Sequence, residues 1–362
     1  MSQDFKFIVL NNAKELGNKV EEHLKKIRKD NVEHLVAVNQ VRFSNGEAKV
    51  ELQSSVRGKD VFILADVGNH SDTYRMFGKN HAMSPDDHFQ DLKRVVSAIR
   101  GNADRITLIM PLLYQSRQHN TNGRESMDCA IALQELEKMS VDTIATFDAH
   151  DPNVYNAIPL MSFDNFFPTH TILNEFIENE NVNYDNLLIV SPDEGAMKRS
   201  RYYSSMLGAD IGMFYKRRDY SKVVNGKNPI VEHKYLGREE EGLDYIIVDD
   251  MIASGGSIID IFKVISTKKP NSVYSIATFS LFTEGVEIFD KAYEDGLFNK
   301  IYSTNLSYVP KEILEKEWFV SVDCSEFLAQ VIDNYNKRES ISPLLNGKLE
   351  MLKKIEDKKT KK

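Results

Sequence analysis

The feature of this chain that most restricts its fold is an alternation of short apolar runs with segments of helical periodicity. The runs are Asp60–Ala65, Arg105–Met110, Thr143–Phe147, Asn186–Val190, Asp244–Val248 and Ser272–Ala277. Such runs, each followed by polar or glycine-containing residues, are typical of strands buried on both faces of a parallel sheet. Between two of them, Phe89, Leu92, Val96 and Ile99 share one helical face. The pattern predicts an α/β chain with mostly parallel sheets flanked by helices.

The strand and helix pattern runs twice along the chain, which is long enough for two domains with separate cores. A proline follows a short extended stretch at Asp164–Pro168, and we expect the boundary there. One domain is therefore predicted over residues 1–164 and another over 165–330. Residues 348–362 are rich in charge and are expected to form a frayed tail.

The segment from Gly68 to His88 is polar and has little periodicity, which predicts a long surface insertion. It contains His70, His81 and His88, three of the nine histidines. Their spacings match no compact metal-ligand pattern, so a solvated loop is the favoured interpretation.

The balance of 46 basic and 54 acidic residues gives a formal charge of −8, which argues against a nucleic-acid or acidic-lipid partner. Cys129 and Cys324 are too few and too far apart to suggest a disulfide scaffold or a zinc site. No apolar run is long enough to span a bilayer, and charges interrupt the start of the chain. We therefore expect a cytoplasmic protein without a membrane partner.

The strongest local signal is an apolar strand that ends in Asp249 and Asp250, followed by small residues and an amphipathic helix. Small residues that open a helix present backbone N–H groups to an anion, and Ser254 and Ser257 can add hydroxyl donors. The two carboxylates can accept hydrogen bonds from vicinal ribose hydroxyls, so a ribose phosphate satisfies the whole loop. An acidic turn with a glycine-rich helix cap fits the same residues. The chain contains no G-x-G-x-x-G, Walker A, G-x-S-x-G, H-E-x-x-H or C-x-x-C motif.

Further motifs follow an order that resembles the ribose-phosphate pyrophosphokinase family, also called phosphoribosyl pyrophosphate synthetases. They are Phe43–Glu47, Ser55–Ile63, Arg117–Gln118, Asp148–His150, Ser191–Gly195, Lys216–Arg218, Asp249–Ser257 and Ser340–Leu344. The resemblance covers the chain from Asn39 to Leu345. It implies two phosphoribosyltransferase-like domains: an ATP-side domain over 1–164, joined by residues 331–347, and a ribose-5-phosphate-binding domain over 165–330.

The resemblance also implies roles for residues whose chemistry alone suggests less. Phe43, Asn45 and Glu47 look like a turn between two strands, and the family's equivalent turn holds adenine, often near a subunit boundary. Arg117 and Gln118 would otherwise be solvated loop residues, and the family assigns such a pair to the ATP phosphates. The ribose 5-phosphate residues implied are Asp249, Asp250, Ala253, Ser254, Gly255, Gly256 and Ser257.

For the reaction, the family pattern implies that His150 and Asp193 bind Mg²⁺ and that Lys216 and Arg218 are catalytic. A lone histidine beyond a strand is more often structural, and a basic run is usually solvated, so these roles rest on the resemblance. The implied reaction is pyrophosphoryl transfer from ATP to ribose 5-phosphate by a homo-oligomeric enzyme. It gives phosphoribosyl pyrophosphate and AMP.

The chain departs from the family pattern at four places: Asn45, His119–Thr121, Ala196 and Ala253 stand where other residues are usual. The changes affect the adenine turn, the ATP phosphate grip, the pyrophosphate loop and the sugar loop. Two alternatives remain open. A phosphoribosyltransferase shares the acidic loop but explains neither the doubled domain nor Phe43–Glu47, and a non-catalytic regulatory relative would bind nucleotide without turnover.

Overall fold

A computed structural model of the protein describes residues 4–99, 101–121, 123–218, 230–345 and 347–360, without the side chains of residues 216–218 and 230–233. The chain divides into two compact units. The first runs to Pro168 and includes Asn305–Pro310 and Asp323–Leu345. The second includes Thr169–Thr304, Lys311–Val322 and the chain after Leu345.

The first unit is built on a six-stranded sheet in the order β10-β9-β8-β5-β1-β2, in which every strand pair is parallel. Its strands and those of two hairpins are β1 Phe5–Val9, β2 Leu35–Val36, β3 Val38–Arg42, β4 Ala48–Leu52, β5 Asp60–Leu64, β6 Thr73–Met76, β7 Lys79–Ala82, β8 Arg105–Ile109, β9 Thr143–Phe147 and β10 Ser162–Phe166. The helices are α1 Lys14–Arg28, α2 Pro85–Ile99 and α3 Asp128–Lys138. Strand β5 is buried along its whole length, and the apolar face of α2 packs into the same core.

The second unit is built on a seven-stranded sheet in the order β13-β12-β11-β14-β15-β16-β17. All its pairs are parallel except β12 with β13. The strands are β11 Leu187–Ser191, β12 Asp210–Arg218, β13 Ile230–Leu236, β14 Asp244–Ile252, β15 Ser272–Ser280, β16 Lys300–Thr304 and β17 Phe319–Val322. The helices are α4 Thr169–Asn179, α5 Met197–Leu207, α6 Gly256–Ser266, α7 Glu287–Glu294 and α8 Lys311–Leu314. The prediction of an α/β chain with two mostly parallel sheets is therefore confirmed.

The last part of the chain returns to the first unit with α9 Ser325–Lys337 and α10 Ser342–Leu345. Helix α9 packs on α1, where Arg28 Nε lies 3.0 Å from Asp333 Oδ1. At the edge of the sheet, the Tyr335 hydroxyl donates a 2.6 Å hydrogen bond to Asp164. A helix from far along the sequence thus packs on α1 and bonds to the edge strand of the first sheet.

The expectation of a frayed tail is wrong for the described part of residues 348–362. Helix α11, Lys348–Thr360, belongs to the second unit and buries Met351 and Ile355 in its core. Lys354 donates a 2.7 Å hydrogen bond to the side chain of Asn174 on α4. These two apolar residues are four positions apart, so they share one face of an otherwise charged helix, and that face packs on the core of the second unit. Across the described residues, no helix combines the length and hydrophobicity that a bilayer span requires.

The insertion from Gly68 to His88 is more ordered than a solvated loop. Residues Thr73–Met76 and Lys79–Ala82 form the β6–β7 hairpin, and Asn69 and His88 at its base are buried. His88 Nε2 donates a 2.6 Å hydrogen bond to the Asn69 carbonyl, which ties the two ends of the insertion together. Burial lowers the pKa of His88, which favours the neutral ring.

Candidate active site

In the second unit, the acidic loop lies at the carboxyl end of β14, which is the ligand-binding edge of an open α/β sheet. The strand continues through both carboxylates, because Met251 and Ile252 still pair with β15. The connection to α6 is consequently very short, and α6 begins at Gly256. Ser254, Gly256 and Ser257 are exposed there. Exposed small residues at the start of an eleven-residue helix leave its first N–H groups open to an anion.

Gly255 fixes the geometry of this loop. Its φ is +84°, and a Cβ at this position would lie 2.3 Å from Cζ of the buried Phe289 ring. Ala253 accepts a 3.0 Å hydrogen bond from the Thr283 N–H through its carbonyl, so backbone contacts also hold the loop. The side chain at position 253 contributes no polar group, and binding would rest on the backbone and on the flanking serines and aspartates.

The two aspartates differ in environment. Asp250 is buried, whereas about a third of the Asp249 side chain is exposed (34%) and its Oδ1 accepts a 2.9 Å hydrogen bond from the Asp250 N–H. Partial desolvation and the adjacent Asp250 carboxylate raise the pKa of Asp249 well above its ordinary value. Arg199 on α5 opposes this shift, with its Nη1 3.8 Å from Asp249 Oδ1. Hydroxyl donors from a ribose would favour the ionised carboxylate in the same way.

Arg199 was not among the residues predicted from the sequence. It is almost buried and lies in the first turn of α5, the helix that follows the Ser191–Gly195 motif. The sequence does show a cluster of basic residues at Lys198, Arg199 and Arg201, but such a cluster is equally typical of a solvated helix face. Only the structure shows that Arg199 points toward the acidic strand end.

Asp193 lies in the loop between β11 and α5 and is exposed. Its Oδ1 accepts a 3.1 Å hydrogen bond from the Ala196 N–H, and its carbonyl accepts one of 2.7 Å from the Ser191 hydroxyl. One carboxylate oxygen therefore organises the turn while the residue stays accessible. Ala196 precedes α5 with a φ of −80°, so alanine fits there without backbone strain.

Lys216 and Arg218 belong to the last three residues of β12, which pair with β13 in an antiparallel ladder. Their side chains, and residues 219–229 that follow them, lie outside the described part of the chain. The roles assigned to Lys216 and Arg218 stay predictions.

In the first unit, Phe43–Glu47 forms the predicted turn between β3 and β4. The Phe43 N–H donates to the Glu47 carbonyl at 2.7 Å, and Gly46 has a φ of +91°. Asn45 accepts a 3.1 Å hydrogen bond from the Glu47 N–H and donates one of 2.9 Å to Glu47 Oε2. The Phe43 side chain remains 45% exposed. The departure at Asn45 has a local consequence, because an aspartate could not donate this hydrogen bond to Glu47.

Arg117 and Gln118 lie in the loop after β8, and the structure separates their environments. Arg117 is exposed, and among the described residues its guanidinium makes no ion pair. Gln118 donates a 2.9 Å side-chain hydrogen bond to the Ser126 carbonyl. Arg117 is thus available for an anion, whereas Gln118 holds the two ends of its own loop together.

His150 is exposed in the loop after β9, beside a residue that the sequence marked only as a departure. Its ring centroid lies 5.4 Å from that of His119, and His119 Nε2 lies 3.7 Å from Asp151 Oδ2. His119 Nδ1 donates to the Ser116 carbonyl at 3.2 Å, which orients its ring. The Arg117–Gln118 loop and the His150 loop therefore meet at one edge of the first sheet.

The metal candidates are compatible with a cation that is held mainly by substrate. Within the described residues, no group of three or more His, Cys, Asp or Glu side chains could bind a metal alone. His150 and Asp193 are each exposed single donors, and Mg²⁺ usually takes only one or two protein ligands beside phosphate and water oxygens. Each of these residues, taken by itself, therefore fits a metal held mainly by phosphate oxygens better than a closed protein site.

Comparisons with known proteins agree with this arrangement. Residues 5–139 match the model of the N-terminal domain of ribose phosphate pyrophosphokinase, and residues 170–316 match the phosphoribosyl transferase domain. A ribose-phosphate pyrophosphokinase of Ralstonia nicotianae is 30% identical over 259 residues, which cover 70% of this chain and 74% of that protein. The Mycoplasma pneumoniae ribose-phosphate pyrophosphokinase is 28% identical over 318 residues, covering 86% and 88%.

Similarity to a solved structure extends to the whole fold. The crystal structure of phosphoribosylpyrophosphate synthetase from Mycobacterium smegmatis matches with a TM-score of 0.76. The match covers 93% of this chain and 100% of the M. smegmatis chain, at 20% sequence identity. Both units therefore have counterparts in one known protein.

Proposed function

The chain belongs to the ribose-phosphate pyrophosphokinase family and is an enzyme of that class, and on this premise we propose the reaction in detail. It transfers the pyrophosphoryl group of ATP to the anomeric hydroxyl of ribose 5-phosphate, giving phosphoribosyl pyrophosphate and AMP. The single observation that carries the sugar-binding half is the strand end with Asp249 and Asp250, directly followed by the exposed start of α6.

Ribose 5-phosphate fits this loop from both ends. The phosphate accepts from the first N–H groups of α6 and from the hydroxyls of Ser254 and Ser257. The ribose hydroxyls donate to Asp249 and Asp250, and Arg199 favours the ionised form of Asp249. This pairing places the anomeric hydroxyl at a fixed position for attack, which is where most of the rate enhancement of phosphoryl transfer arises.

In the first unit, the proposed ATP contacts are Phe43, Asn45 and Glu47 for the base and Arg117 and Gln118 for the phosphates. The exposed Phe43 ring offers a stacking surface, and the exposed guanidinium of Arg117 offers fork geometry for phosphate oxygens. Besides its proposed phosphate contact, Gln118 shapes the loop that carries Arg117 through its hydrogen bond to the Ser126 carbonyl. The hydrogen bond from His119 to the Ser116 carbonyl holds the His119 ring beside that of His150, the proposed metal ligand.

Mg²⁺, when bound, would supply charge neutralisation on the ATP phosphates, and His150 and Asp193 are each proposed as a residue that would hold it. Lys216 and Arg218 stabilise the charge that develops as the bond to AMP breaks. The proposal also includes a homo-oligomer, because the family resemblance places the base turn near a subunit boundary. A cytoplasmic location is consistent with Cys129 and Cys324, which are both free and buried.

The alternatives explain less of the chain. A phosphoribosyltransferase accounts for the second unit alone, whereas the base turn and the Arg117 loop lie in the first. A regulatory relative would bind ATP without turning it over, and it remains the outcome to exclude by assay.

The proposal is tested by incubating the purified protein with Mg²⁺, ATP and ribose 5-phosphate and measuring AMP by chromatography. We expect AMP to appear only when ribose 5-phosphate is present. Asp250→Asn should abolish most of the turnover, whereas Asp260→Asn on the exposed face of α6 should behave as wild type. ATP binding without AMP formation in the wild-type protein would favour the regulatory alternative instead.

A further inference from the structure

The β6–β7 hairpin has no role in the proposed reaction, yet it is built on a rigid base. Asn69 is buried and donates a 2.8 Å hydrogen bond to the Asn12 carbonyl. Its side-chain oxygen accepts from the Ser71 N–H at 2.8 Å. At the base of the hairpin, where its two strands begin and end, the Met83 N–H donates to the Asp72 carbonyl at 2.8 Å. The hairpin therefore leaves the first unit from a fixed position.

The tip of this hairpin lies on the turn proposed to hold the nucleotide base. The Phe77 N–H donates a 2.9 Å hydrogen bond to the carbonyl of Ser44, the residue after Phe43. Met76 covers Gly46 so closely that a Cβ on the glycine would lie 2.5 Å from its sulfur. These contacts involve the insertion and the turn alone, and they fix the backbone of the turn.

A third contact fixes the approach to the turn. The Arg42 guanidinium carbon lies 4.9 Å from the ring centroid of Tyr74 in β6. The same guanidinium donates a 2.9 Å hydrogen bond to the buried Asp91 on α2. The hairpin, the turn and the helix are thus joined through one buried ion pair.

Phe77 at the hairpin tip is unusual in two respects. Its φ is +48° and Gly78 follows with +78°, so the two residues form the kind of turn that favours Asn-Gly and disfavours an aromatic residue. Its side chain is also 78% exposed, so the ring gains no burial that would offset the strained backbone. An exposed aromatic residue in a strained position points to a role in binding.

We propose that Phe77 is a second aromatic contact for the nucleotide base, which it covers together with Phe43, and that the hairpin confers base affinity on this chain. This inference rests on the proposed function, since it takes the Phe43–Glu47 turn as the base site. The occupant is a purine base, because a flat ring with polar edges matches two exposed aromatic rings beside the Asn45 and Glu47 side chains.

The test compares Phe77→Asn and Phe77→Tyr with the wild-type protein. Asparagine suits the left-handed turn, so Phe77→Asn should leave the melting temperature unchanged or raise it while removing the ring. Leu160→Ala, which truncates a side chain that is 90% exposed elsewhere in the first unit, is the matched control. Binding of Mg-ATP and of inorganic tripolyphosphate is measured by calorimetry for each protein.

We expect Phe77→Asn to weaken ATP binding about fivefold to tenfold, as for the loss of one base–aromatic stack, with tripolyphosphate binding unchanged. Phe77→Tyr and Leu160→Ala should stay within about twofold of wild type for both ligands. This combination of retained stability with a base-specific loss of affinity would not arise from a purely structural role.

Unchanged ATP binding by Phe77→Asn would overturn the inference, and so would equal losses for ATP and tripolyphosphate. A fall in oligomer mass with unchanged ATP binding would instead assign Phe77 to a contact with a second copy of the chain. Wild-type protein that binds ATP through Phe77 but forms no AMP would refute the proposed function and leave this inference standing.

Discussion

Replacing Gly255 by alanine tests whether the sugar-phosphate loop depends on its backbone geometry. At a φ of +84°, an alanine side chain costs about 1 kcal/mol relative to glycine. The added Cβ would also lie 2.3 Å from the Phe289 ring, which is fully buried and stacks on Trp318 at a centroid distance of 5.6 Å. Overpacking of a filled core costs about 1–3 kcal/mol, so the free energy of unfolding should fall by about 2–4 kcal/mol in total.

The neighbouring Gly256 provides a matched control. A Cβ there would meet no atom within 4 Å, and alanine favours the first turn of α6. Gly256→Ala should therefore leave the free energy of unfolding equal to that of wild type or raise it by up to about 1 kcal/mol. The two variants differ by one position and have the same added methyl group.

Urea unfolding measured by tryptophan fluorescence is the appropriate assay, because Trp318 is the only tryptophan and packs against Phe289. Calorimetry then measures the affinity of the loop for ribose 5-phosphate. Gly255→Ala should weaken this binding at least about tenfold, because it displaces the start of α6. Equal stability of the two glycine variants, together with unchanged sugar binding, would refute this account of the loop.

Four further predictions address other parts of the chain. Burial raises the pKa of Asp66 to about 6, so ionising this carboxyl destabilises the fold. As the pH rises from 4 to 6, the free energy of unfolding should therefore fall by up to about 3 kcal/mol. Asp66→Asn should remove this dependence on pH in urea titrations. Arg199→Met removes the charge that opposes the raised pKa of Asp249, so the pH midpoint of ribose 5-phosphate binding should move upward, and an unchanged midpoint would count against the pairing. Lys216→Ala should lower kcat far more than it raises KM for ribose 5-phosphate, whereas equal effects would argue for a binding role. Met351→Ala should destabilise the second unit by about 2–4 kcal/mol in the same fluorescence assay, and no change would mean that α11 does not contribute to its core.

Apolar periodicity predicted the sheets well because strands such as β5 and β14 are buried on both faces and have little freedom in composition. It could not predict that Asn305–Pro310 and Asp323–Leu345 return to the first unit. Those segments are held by side-chain contacts between residues distant in sequence, such as the 2.9 Å hydrogen bond from the Ser307 hydroxyl to Asp66. A local pattern contains no information on such pairings.

For the candidate site, the residue types at strand ends indicated where ligands would bind, since carboxyl ends of parallel strands converge. The side chains that contact those residues could not be predicted from the sequence. Arg199 resembled a solvated helix position, and His119 was marked only as a departure although its ring lies beside His150. The β6–β7 hairpin was missed because its strands are short, polar and exposed, so their alternation gives no apolar signal.

The measurement that tests the central claim most directly is a phosphorus NMR spectrum of the protein with Mg²⁺, ATP and ribose 5-phosphate. Pyrophosphoryl transfer predicts equal amounts of AMP and phosphoribosyl pyrophosphate, the latter shown by a diphosphate attached to the sugar, with no ADP. Formation of ADP with a singly phosphorylated anomeric position would contradict the claim, and so would an unchanged ATP spectrum under conditions in which ATP is bound.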